Sequence, residues 1–226
     1  LMDRLGIAMA AATRKRQLGA LLFIDLDNFK SLNDTRGHDV GDQLLVQVGQ
    51  RLSGAVREND TVARLGGDEF VLMLEDLGAS LHDAAIHASR VGAKVLDAMA
   101  APFVLDGAHE HACTASVGVT LFGDHSESMD EPLKRADLAM YRSKADGRGR
   151  VTFFDPQMQD TANANMQLER EMRSALQQGE FELYFQPQVD AQGQVFGAEA
   201  LVRWHHPQRG LVMPAQQRLG TEHLAL

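Results

Sequence analysis

The stretch Arg64-Leu65-Gly66-Gly67-Asp68-Glu69-Phe70 lies between two short runs of strand-forming residues, 61–65 and 70–74. This layout is typical of a β-hairpin whose tip carries two glycines, which tolerate positive φ and let a ligand approach the backbone. Adjacent carboxylates at such a tip are costly unless a cation neutralises them. The turn therefore indicates a metal-nucleotide site, although a plain solvated hairpin would show the same pattern.

A second group of carboxylates strengthens this interpretation. Residues 20–25 form an apolar run of strand length that ends in Asp25-Leu26-Asp27-Asn28-Phe29-Lys30. A buried strand delivers such side chains to a fixed place. Magnesium-type cations take one or two carboxylates plus substrate phosphates, and Asp25 and Asp68 on neighbouring strand ends would supply those carboxylates. The two groups together predict phosphoryl or nucleotidyl transfer.

These motifs resemble those of a known family. FIDLDNFKSLNDTRGHDVGDQLL at 23–45 and RLGGDEF at 64–70 are similar to the GGDEF family of diguanylate cyclases, which join two GTP molecules into cyclic di-GMP. TASVGVTLF at 114–122 and ADLAMYRSKADGRGR at 136–150 follow in family order. The resemblance covers about residues 1–154 and implies a bacterial signalling transferase.

Composition limits the classes of function. The chain has 226 residues, 44% hydrophobic and 23% charged, which suits one domain with a core and part of another. A net charge of −9 argues against a nucleic-acid binder. Because no apolar run reaches membrane-spanning length, we expect a cytoplasmic fragment without membrane contact, whose full-length parent could still be anchored upstream. The single cysteine, Cys113, excludes an internal disulfide and is predicted to be a core residue.

Periodicity predicts the order of the elements. Helices are expected at 1–17, 28–34, 39–56, 80–101 and 130–145, and strands at 20–25, 61–65, 70–75, 103–105, 111–122 and 151–154. Helices interleaved with a mostly antiparallel sheet indicate an α+β domain, which we place at residues 1–155. The family resemblance implies a central five-stranded sheet flanked by helices, as in nucleotidyl cyclases and polymerase palm domains.

The remaining chain shows a second resemblance. Residues 156–178 are predicted to be a linker with a connecting helix at 162–178, and residues 179–226 are similar to the start of an EAL cyclic di-GMP phosphodiesterase domain. The matching motifs are FELYFQPQV at 181–189 and GAEALVRW at 197–204. A TIM-barrel-like EAL domain takes about 250 residues, so this fragment cannot close one. The tail after Pro214 departs from the family, and His205-His206 are expected to be solvated loop residues that point apart.

The GGDEF resemblance implies roles for the acidic residues. Asp25 and Asp68 would hold Mg²⁺ or Mn²⁺ together with the carbonyl oxygen of Leu26. Glu69 would act beside them as a metal ligand or general base. Asp68 and Glu69 are therefore the predicted catalytic residues.

The same resemblance implies a GTP site. Asn33 and Asp42 would recognise guanine. Without the resemblance, Asn33 would be interpreted as an ordinary helix-end residue and Asp42 as a solvated residue in the first turn of a helix. The other predicted GTP-binding residues are Phe29, Lys30, Gly66, Gly67, Lys144 and Arg148. Phe29 could equally belong to the core. The family usually has Gly-Arg-Asn where this chain has Gly147-Arg148-Gly149.

Two further sets of residues are implied. Arg57 and Asp60 have the R-x-x-D spacing of the family's product-inhibition site, where an arginine hydrogen-bonds guanine, and Arg90 falls where a partner domain's arginine completes it. Arg90 could also be a solvated helix residue. In the EAL-like fragment, Glu199 matches a metal ligand, Arg203 a phosphate contact and Gln186 a pocket residue, but the remaining metal ligands are missing, so we expect no phosphodiesterase activity.

The predicted function is a GTP-dependent diguanylate cyclase that works as a homodimer and is inhibited by its product. A non-catalytic sensor of GTP or cyclic di-GMP, regulating an EAL partner domain, is the alternative from another class. Intact Asp68 and Glu69 argue against that alternative. A phosphodiesterase activity of the parent is a third alternative that the fragment cannot decide.

Overall fold

The structure is a computed structural model that describes residues 1–107, 109–123 and 128–212. It divides into two compact units, 1–159 and 160–226, and each is described by itself. The tail after Pro214, which the sequence marks as atypical, lies outside the described residues.

The first unit alternates helices with strands. Its elements are α1 (Met2–Lys15), β1 (Gly19–Leu26), α2 (Phe29–Arg36), α3 (His38–Ala55), β2 (Thr61–Gly66), β3 (Glu69–Leu74), α4 (Leu81–Ala100), β4 (Phe103–Leu105), β5 (His109–His111), β6 (Ala115–Phe122), α5 (Asp130–Ala145) and β7 (Val151–Phe153). The five-stranded sheet has the order β2-β3-β1-β6-β7, and only the β6–β7 pair among these is parallel. The predicted α+β fold with a mostly antiparallel five-stranded sheet is confirmed.

Strand β1 occupies the centre of this sheet and is buried along its whole length. Its side chains alternate between the two faces, as the pleat of a strand requires. Leu22 and Ile24 pack in the larger core with residues of α3 and α4, whereas Leu21 and Phe23 pack in a second core with residues of α1 and α5. Asp25 continues the second series, so its carboxylate lies on the α5 side of the sheet.

Helix α5 packs unusually close to this face. A Cβ on Gly118 of β6 would lie 2.0 Å from the carbonyl oxygen of Ala136 and 2.1 Å from the backbone nitrogen of Met140. Only a residue without a side chain permits that approach. Gly118 therefore sets the position of α5, which carries Lys144 toward the end of β1.

One predicted strand is wrong. Residues 111–122 form two strands, because β5 ends at His111 and pairs with β4 in a separate two-stranded sheet, whereas β6 begins at Ala115. Between them Cys113 is 4% exposed and belongs to the larger core, which confirms its predicted role. Thr114 turns its hydroxyl to Asp27 instead of continuing a strand.

The second unit contains most of α6 (Pro156–Gln178) and a three-stranded sheet of β8 (Phe181–Val189), β9 (Val195–His206) and β10 (Gly210–Val212). The helix begins at Pro156, six residues before the predicted start at 162. Proline is favoured in the first turn of a helix, where its missing N–H costs nothing. Trp204 is fully buried in this unit's core and donates its indole N–H to Glu180 at 2.9 Å.

The prediction of solvated loop histidines is wrong, since His205 and His206 both lie in β9. They point apart as expected: His205 is exposed and lies 3.2 Å from Glu182, whereas His206 is buried. His206 Nε2 lies 3.1 Å from a carboxylate oxygen of Glu171, and its Nδ1 accepts the backbone N–H of Gln208 and of Arg209. The His206 imidazole is thus buried and caps the turn between β9 and β10.

None of the helices in the part of the chain that the structure describes is long and apolar enough to cross a bilayer.

Candidate active site

Two carboxylates meet at the end of the central strand pair. Asp25 of β1 and Glu69 of β3 are direct cross-strand partners in the antiparallel register, so their side chains share one face of the sheet. Asp68 stands one residue before Glu69 at the hairpin turn, and its carbonyl oxygen accepts the N–H of Leu26 at 3.3 Å. Like charges directly opposite each other destabilise a sheet. This arrangement therefore favours a bound cation.

A cation from α5 already lies beside Asp25. Lys144 Nζ is 2.8 Å from Asp25 Oδ2, and the Asp25 side chain is almost fully buried. Burial raises the pKa of Asp25 to about 6, and the negative charges of Asp68 and Glu69 add to that effect. Lys144 opposes the shift. A divalent cation would therefore stabilise the ionised Asp25 carboxylate more than Lys144 alone does.

A fourth carboxylate, Asp137 of α5, faces the same site. Burial raises the pKa of Glu69, with Asp137 and Asp68 as the next causes, and burial also raises the pKa of Asp137. Asp137 precedes Lys144 by seven residues, which places both on one side of the helix. Sequence reasoning missed Asp137, although this spacing within the 136–150 motif could have indicated it.

These residues fit a divalent cation that arrives with its ligand. Among the described residues, no group of three or more His, Cys, Asp or Glu side chains is close enough to hold a metal ion alone. Magnesium commonly uses only one or two carboxylates, with substrate phosphates and water completing its coordination. Asp25 and Glu69 on one face, with Asp68 and the backbone of Leu26 beside them, meet that requirement.

The hairpin tip leaves room for a ligand. Gly67 adopts φ +50°, and a Cβ added to Gly66 or Gly67 would have no atom within 4 Å. The guanidinium of Arg64 donates to the carbonyl oxygen of Gly67 at 3.0 Å, which braces the turn. A bulky group can therefore approach the backbone of both glycines, as the sequence predicts.

Helix α2 begins next to these carboxylates. Phe29 is its first residue, and the ring packs in the larger core, while Lys30 is exposed. The first N–H groups of a helix have no partners within the helix and attract anions. Phe29 can therefore be both a core residue and a phosphate contact, because its ring packs in the core while its backbone N–H lies at the helix N-terminus.

The predicted guanine-reading residues lie on α2 and α3. The side-chain oxygen Oδ1 of Asn33 is buried and has no hydrogen-bond partner. It packs against Gly41, where an added Cβ would come within 2.0 Å of it. The next residue, Asp42, is exposed. A buried polar atom without a partner is rare in folded proteins, so Asn33 Oδ1 stands out among the described residues.

Arg148 lies in a tight loop after α5. Gly147, Arg148 and Gly149 have φ values of +110°, +63° and +58° in succession. The backbone N–H of Arg148 donates to the carbonyl of Ser143 at 3.0 Å. The loop follows Lys144 directly, so both predicted triphosphate contacts lie at the α5 end of the site. Lys144 itself is paired with Asp25.

A separate cavity of about 500 Å³ lies along α4. Arg57 and Arg90, two predicted inhibitory-site residues, both line it within one chain, together with Lys94 and His87; the other lining residues are Leu77, Asp83, Ile86 and Val91. Asp60 instead accepts the backbone N–H of Arg57 at 3.0 Å and of Glu75 at 3.4 Å. Its carboxylate thereby braces the turn that presents Arg57.

The EAL-like residues share a sheet face in the second unit. Gln186 and Glu199 are direct cross-strand partners on β8 and β9, and both are exposed. Arg203 lies four residues after Glu199 along β9, and its guanidinium is 5.7 Å from the Tyr184 ring centroid. The three predicted residues are thus placed along one surface.

Comparison with protein families identifies both parts of the chain. The family described as "Diguanylate cyclase, GGDEF domain" matches residues 1–150. The chain belongs to the GGDEF family. The family described as "EAL domain" matches residues 169–221. Both resemblances drawn from the sequence are confirmed, and the EAL part is partial.

Known proteins share both parts. The chain is 41% identical over 96% of its length to the bifunctional diguanylate cyclase/cyclic di-GMP phosphodiesterase MucR of Pseudomonas aeruginosa, and 45% identical over 86% of its length to the cyclic di-GMP phosphodiesterase NbdA of the same organism. It spans only 31% and 24% of these two relatives. A structure of a truncated TpbB from Pseudomonas aeruginosa that comprises only the GGDEF domain matches 72% of this chain and 91% of that chain, with a TM-score of 0.67 and 35% identity.

Proposed function

We propose that this chain is a diguanylate cyclase that condenses two GTP molecules into cyclic di-GMP and releases pyrophosphate. The observation that carries the proposal is the pairing of Asp25 with Glu69 on one sheet face, beside Asp68 and Lys144. Carboxylates crowded together in this way are suited to a cation that accompanies a nucleoside triphosphate. The similarity to MucR, whose name includes this activity, agrees with the assignment.

The chain's own residues supply binding and orientation. The N-terminus of α2 at Phe29 and Lys30 would receive phosphate oxygens on its free N–H groups. Lys144 and Arg148 would bind the distal phosphates. Lys144 pairs with Asp25, so a divalent cation held by that carboxylate would leave the Lys144 ammonium group available to a phosphate.

The base would be read where α2 meets α3. The Asp42 carboxylate, which is exposed, can accept hydrogen bonds from guanine N1 and N2. Adenine carries no such pair of donors, so this contact would select GTP. The amide of Asn33, whose Oδ1 has no hydrogen-bond partner, would complete the recognition of the base.

Mg²⁺ or Mn²⁺ held by Asp25, Asp68, Glu69 and the carbonyl of Leu26 would polarise the α-phosphate and lower the pKa of the attacking 3′-hydroxyl. Burial raises the pKa of Glu69, which favours a role for this carboxylate as general base. Each chain offers one such site, whereas the reaction joins two GTP molecules. We therefore propose a homodimer in which two sites face each other.

Product feedback would act through the cavity along α4. A cyclic dinucleotide carries two phosphates and two guanines, and this cavity combines Arg57, Arg90 and Lys94 with the apolar side chains of Ile86 and Val91. Arginine can hydrogen-bond guanine O6 and N7 in a bidentate manner. Asp60 would contribute by fixing the turn at Arg57, and its carboxylate could accept from the other guanine edge.

The test is to incubate the protein with GTP and Mg²⁺ and to resolve the nucleotides by chromatography. We expect cyclic di-GMP and pyrophosphate from the parent and from Glu110→Gln, which changes an exposed carboxylate on β5. Asp25→Asn and Asp68→Asn should produce none. Turnover of GTP by either variant at the parent rate would refute the assignment.

A non-catalytic sensor is the second candidate, since NbdA is named for phosphodiesterase activity alone. A sensor would bind GTP or cyclic di-GMP without converting either. Equilibrium dialysis with GTP, run beside the chromatography, separates the two functions. Binding of GTP without any cyclic product in a dimeric sample would favour the sensor.

A further inference from the structure

We propose that Asp27 is a positioning residue that holds the Arg148 loop against the end of the central strand. Asp27 is 6% exposed and directly follows β1, and its carboxylate accepts the hydroxyl of Ser116, the cross-strand partner of Asp25. Its effect on catalysis rests on the proposed function, but its effect on the loop does not.

The Asp27 carboxylate joins three segments that are far apart in sequence. Its Oδ2 accepts the hydroxyl of Thr114 at 2.7 Å and the backbone N–H of Gly149 at 3.2 Å, and its Oδ1 accepts the hydroxyl of Ser116 at 2.8 Å. The backbone N–H of Asp27 also donates to the carbonyl of Thr114 at 2.9 Å. All three side-chain partners are uncharged, so Asp27 acts as a hydrogen-bond acceptor within the fold.

The loop needs such an anchor because its backbone is strained. Arg148 adopts φ +63°, a region that costs conformational energy for any residue with a side chain. On the helix side, the loop is held by the Arg148 N–H on the Ser143 carbonyl and by the Ser143 hydroxyl on the Arg150 carbonyl. On the strand side, the Gly149 N–H reaches Asp27.

The anchor sets the distance between two parts of the site. Lys144 Nζ reaches Asp25, and the Gly149 N–H reaches Asp27, so the end of α5 and its loop are tied to β1 at two points. Arg148 lies between these ties. Loss of the hydrogen bond from the Gly149 N–H to Asp27 would let Arg148 move while leaving Asp25 in place. We therefore predict weaker binding of GTP with little change in the rate of the chemical step.

Hydrogen exchange of residues 146–150 tests the tie without any ligand. In Asp27→Ala the Gly149 N–H loses its acceptor and should exchange at least about tenfold faster, the loss expected for one hydrogen bond to a charged group. Asp27→Asn should restore most of the protection, because its amide oxygen can replace Oδ2 and its NH₂ can donate to Ser116. Unchanged exchange at Gly149 in a folded Asp27→Ala protein would overturn the proposal.

A second pair of variants covers the case in which Asp27→Ala does not fold. Thr114→Val removes one hydroxyl from Oδ2, whereas Thr114→Ser keeps it, and Thr114 is an exposed residue. We expect faster exchange of the loop in Thr114→Val and parent-like exchange in Thr114→Ser. Equal exchange in the two variants would count against the tie.

Kinetics test whether Asp27 acts through Arg148. Asp27→Ala should raise the KM for GTP about tenfold and change kcat far less. In the double variant Asp27→Ala/Arg148→Ala the KM should be little higher than in Arg148→Ala alone, because the effects of residues that act as a unit are not additive. Fully additive losses would overturn the functional part. If the parent itself turns over no GTP, the proposed function fails while the exchange result still decides the tie.

Discussion

Replacing Asp25 by asparagine should stabilise the metal-free protein while abolishing cyclic di-GMP synthesis. The carboxylate is buried on the sheet face beside Glu69 and near Asp68, and its pKa is raised from 3.8 to about 6 chiefly by burial. A residue selected only for stability would not be charged at this position. The two opposite effects of one substitution therefore separate a functional carboxylate from a structural one.

The magnitude follows from linkage between ionisation and folding. Above pH 6 the Asp25 carboxylate is ionised in both the folded and the unfolded chain, and the folded state bears the cost of the charge. A shift from 3.8 to about 6 is a little over two pKa units, which corresponds to about 3 kcal/mol. As the pH falls through 6 the folded protein takes up the proton and the cost declines, and near pH 4 most of it is gone.

Urea denaturation in EDTA at several pH values measures the effect. At pH 8 Asp25→Asn should have a free energy of unfolding about 3 kcal/mol above that of the parent, an upper limit because its amide is also buried. The difference should shrink between pH 7 and pH 4. Glu110→Gln, the exposed control, should match the parent throughout.

Two results would refute the reasoning. Asp25→Asn could prove less stable than the parent at pH 8, which would mean that the Lys144 ion pair outweighs the cost of burying the charge. Alternatively, the difference could stay constant from pH 8 to pH 4, in which case the pKa of Asp25 is not raised by folding.

Arg57→Ala should weaken cyclic di-GMP binding, measured by calorimetry, about tenfold or more, since a bidentate arginine contact contributes about 1 to 3 kcal/mol. The initial rate of synthesis should not change. Equal affinity in the parent and the variant would show that Arg57 does not contact the product. Product binding should tighten from pH 8 to pH 5.5. Burial and then Arg57 lower the pKa of His87, whose other charged neighbours are Asp60, Asp83, Arg90 and Lys94, and a bound anionic ligand would raise that pKa again. The variant His87→Gln should therefore bind the product with little dependence on pH. Gly118→Ala should destabilise the protein by more than about 2 kcal/mol in urea, because its Cβ would meet the backbone of α5. The protein should hydrolyse no cyclic di-GMP in the presence of Mg²⁺ or Mn²⁺, and a metal-dependent linear dinucleotide that disappears in Glu199→Ala would contradict this.

Much of the fold could be predicted from the sequence because its signals are local. The apolar run at 20–25 became the central strand β1, and α5 begins and ends at the predicted residues 130 and 145. The strand predicted at 111–122 failed for a non-local reason. Thr114 bonds to Asp27, which lies 87 residues earlier, and periodicity does not report such a bond.

The site was only partly predictable for the same reason. Motifs indicated Asp25, Glu69 and Lys144 separately, but the 2.8 Å contact between Lys144 and Asp25 depends on how closely α5 packs on β6. Asp27 stood unnoticed between two predicted ligands, since its role depends on hydroxyls and an amide from distant segments. Arg57 and Arg90 line one cavity within a single chain, and completion of this site by a partner domain's Arg90 stays a prediction.

The distribution of charge explains how an acidic chain can bind polyanions. A net charge of −9 repels nucleic acid at long range, but that repulsion is screened within about 10 Å at ordinary ionic strength. Positive groups lie at the two proposed binding sites: Lys144 and Arg148 at the α5 end of the candidate active site, and Arg57, Arg90 and Lys94 in the cavity along α4. Binding of a triphosphate or a cyclic dinucleotide should therefore depend on these few contacts. It follows that salt should weaken GTP binding only modestly, whereas loss of Lys144 or Arg148 should weaken it strongly.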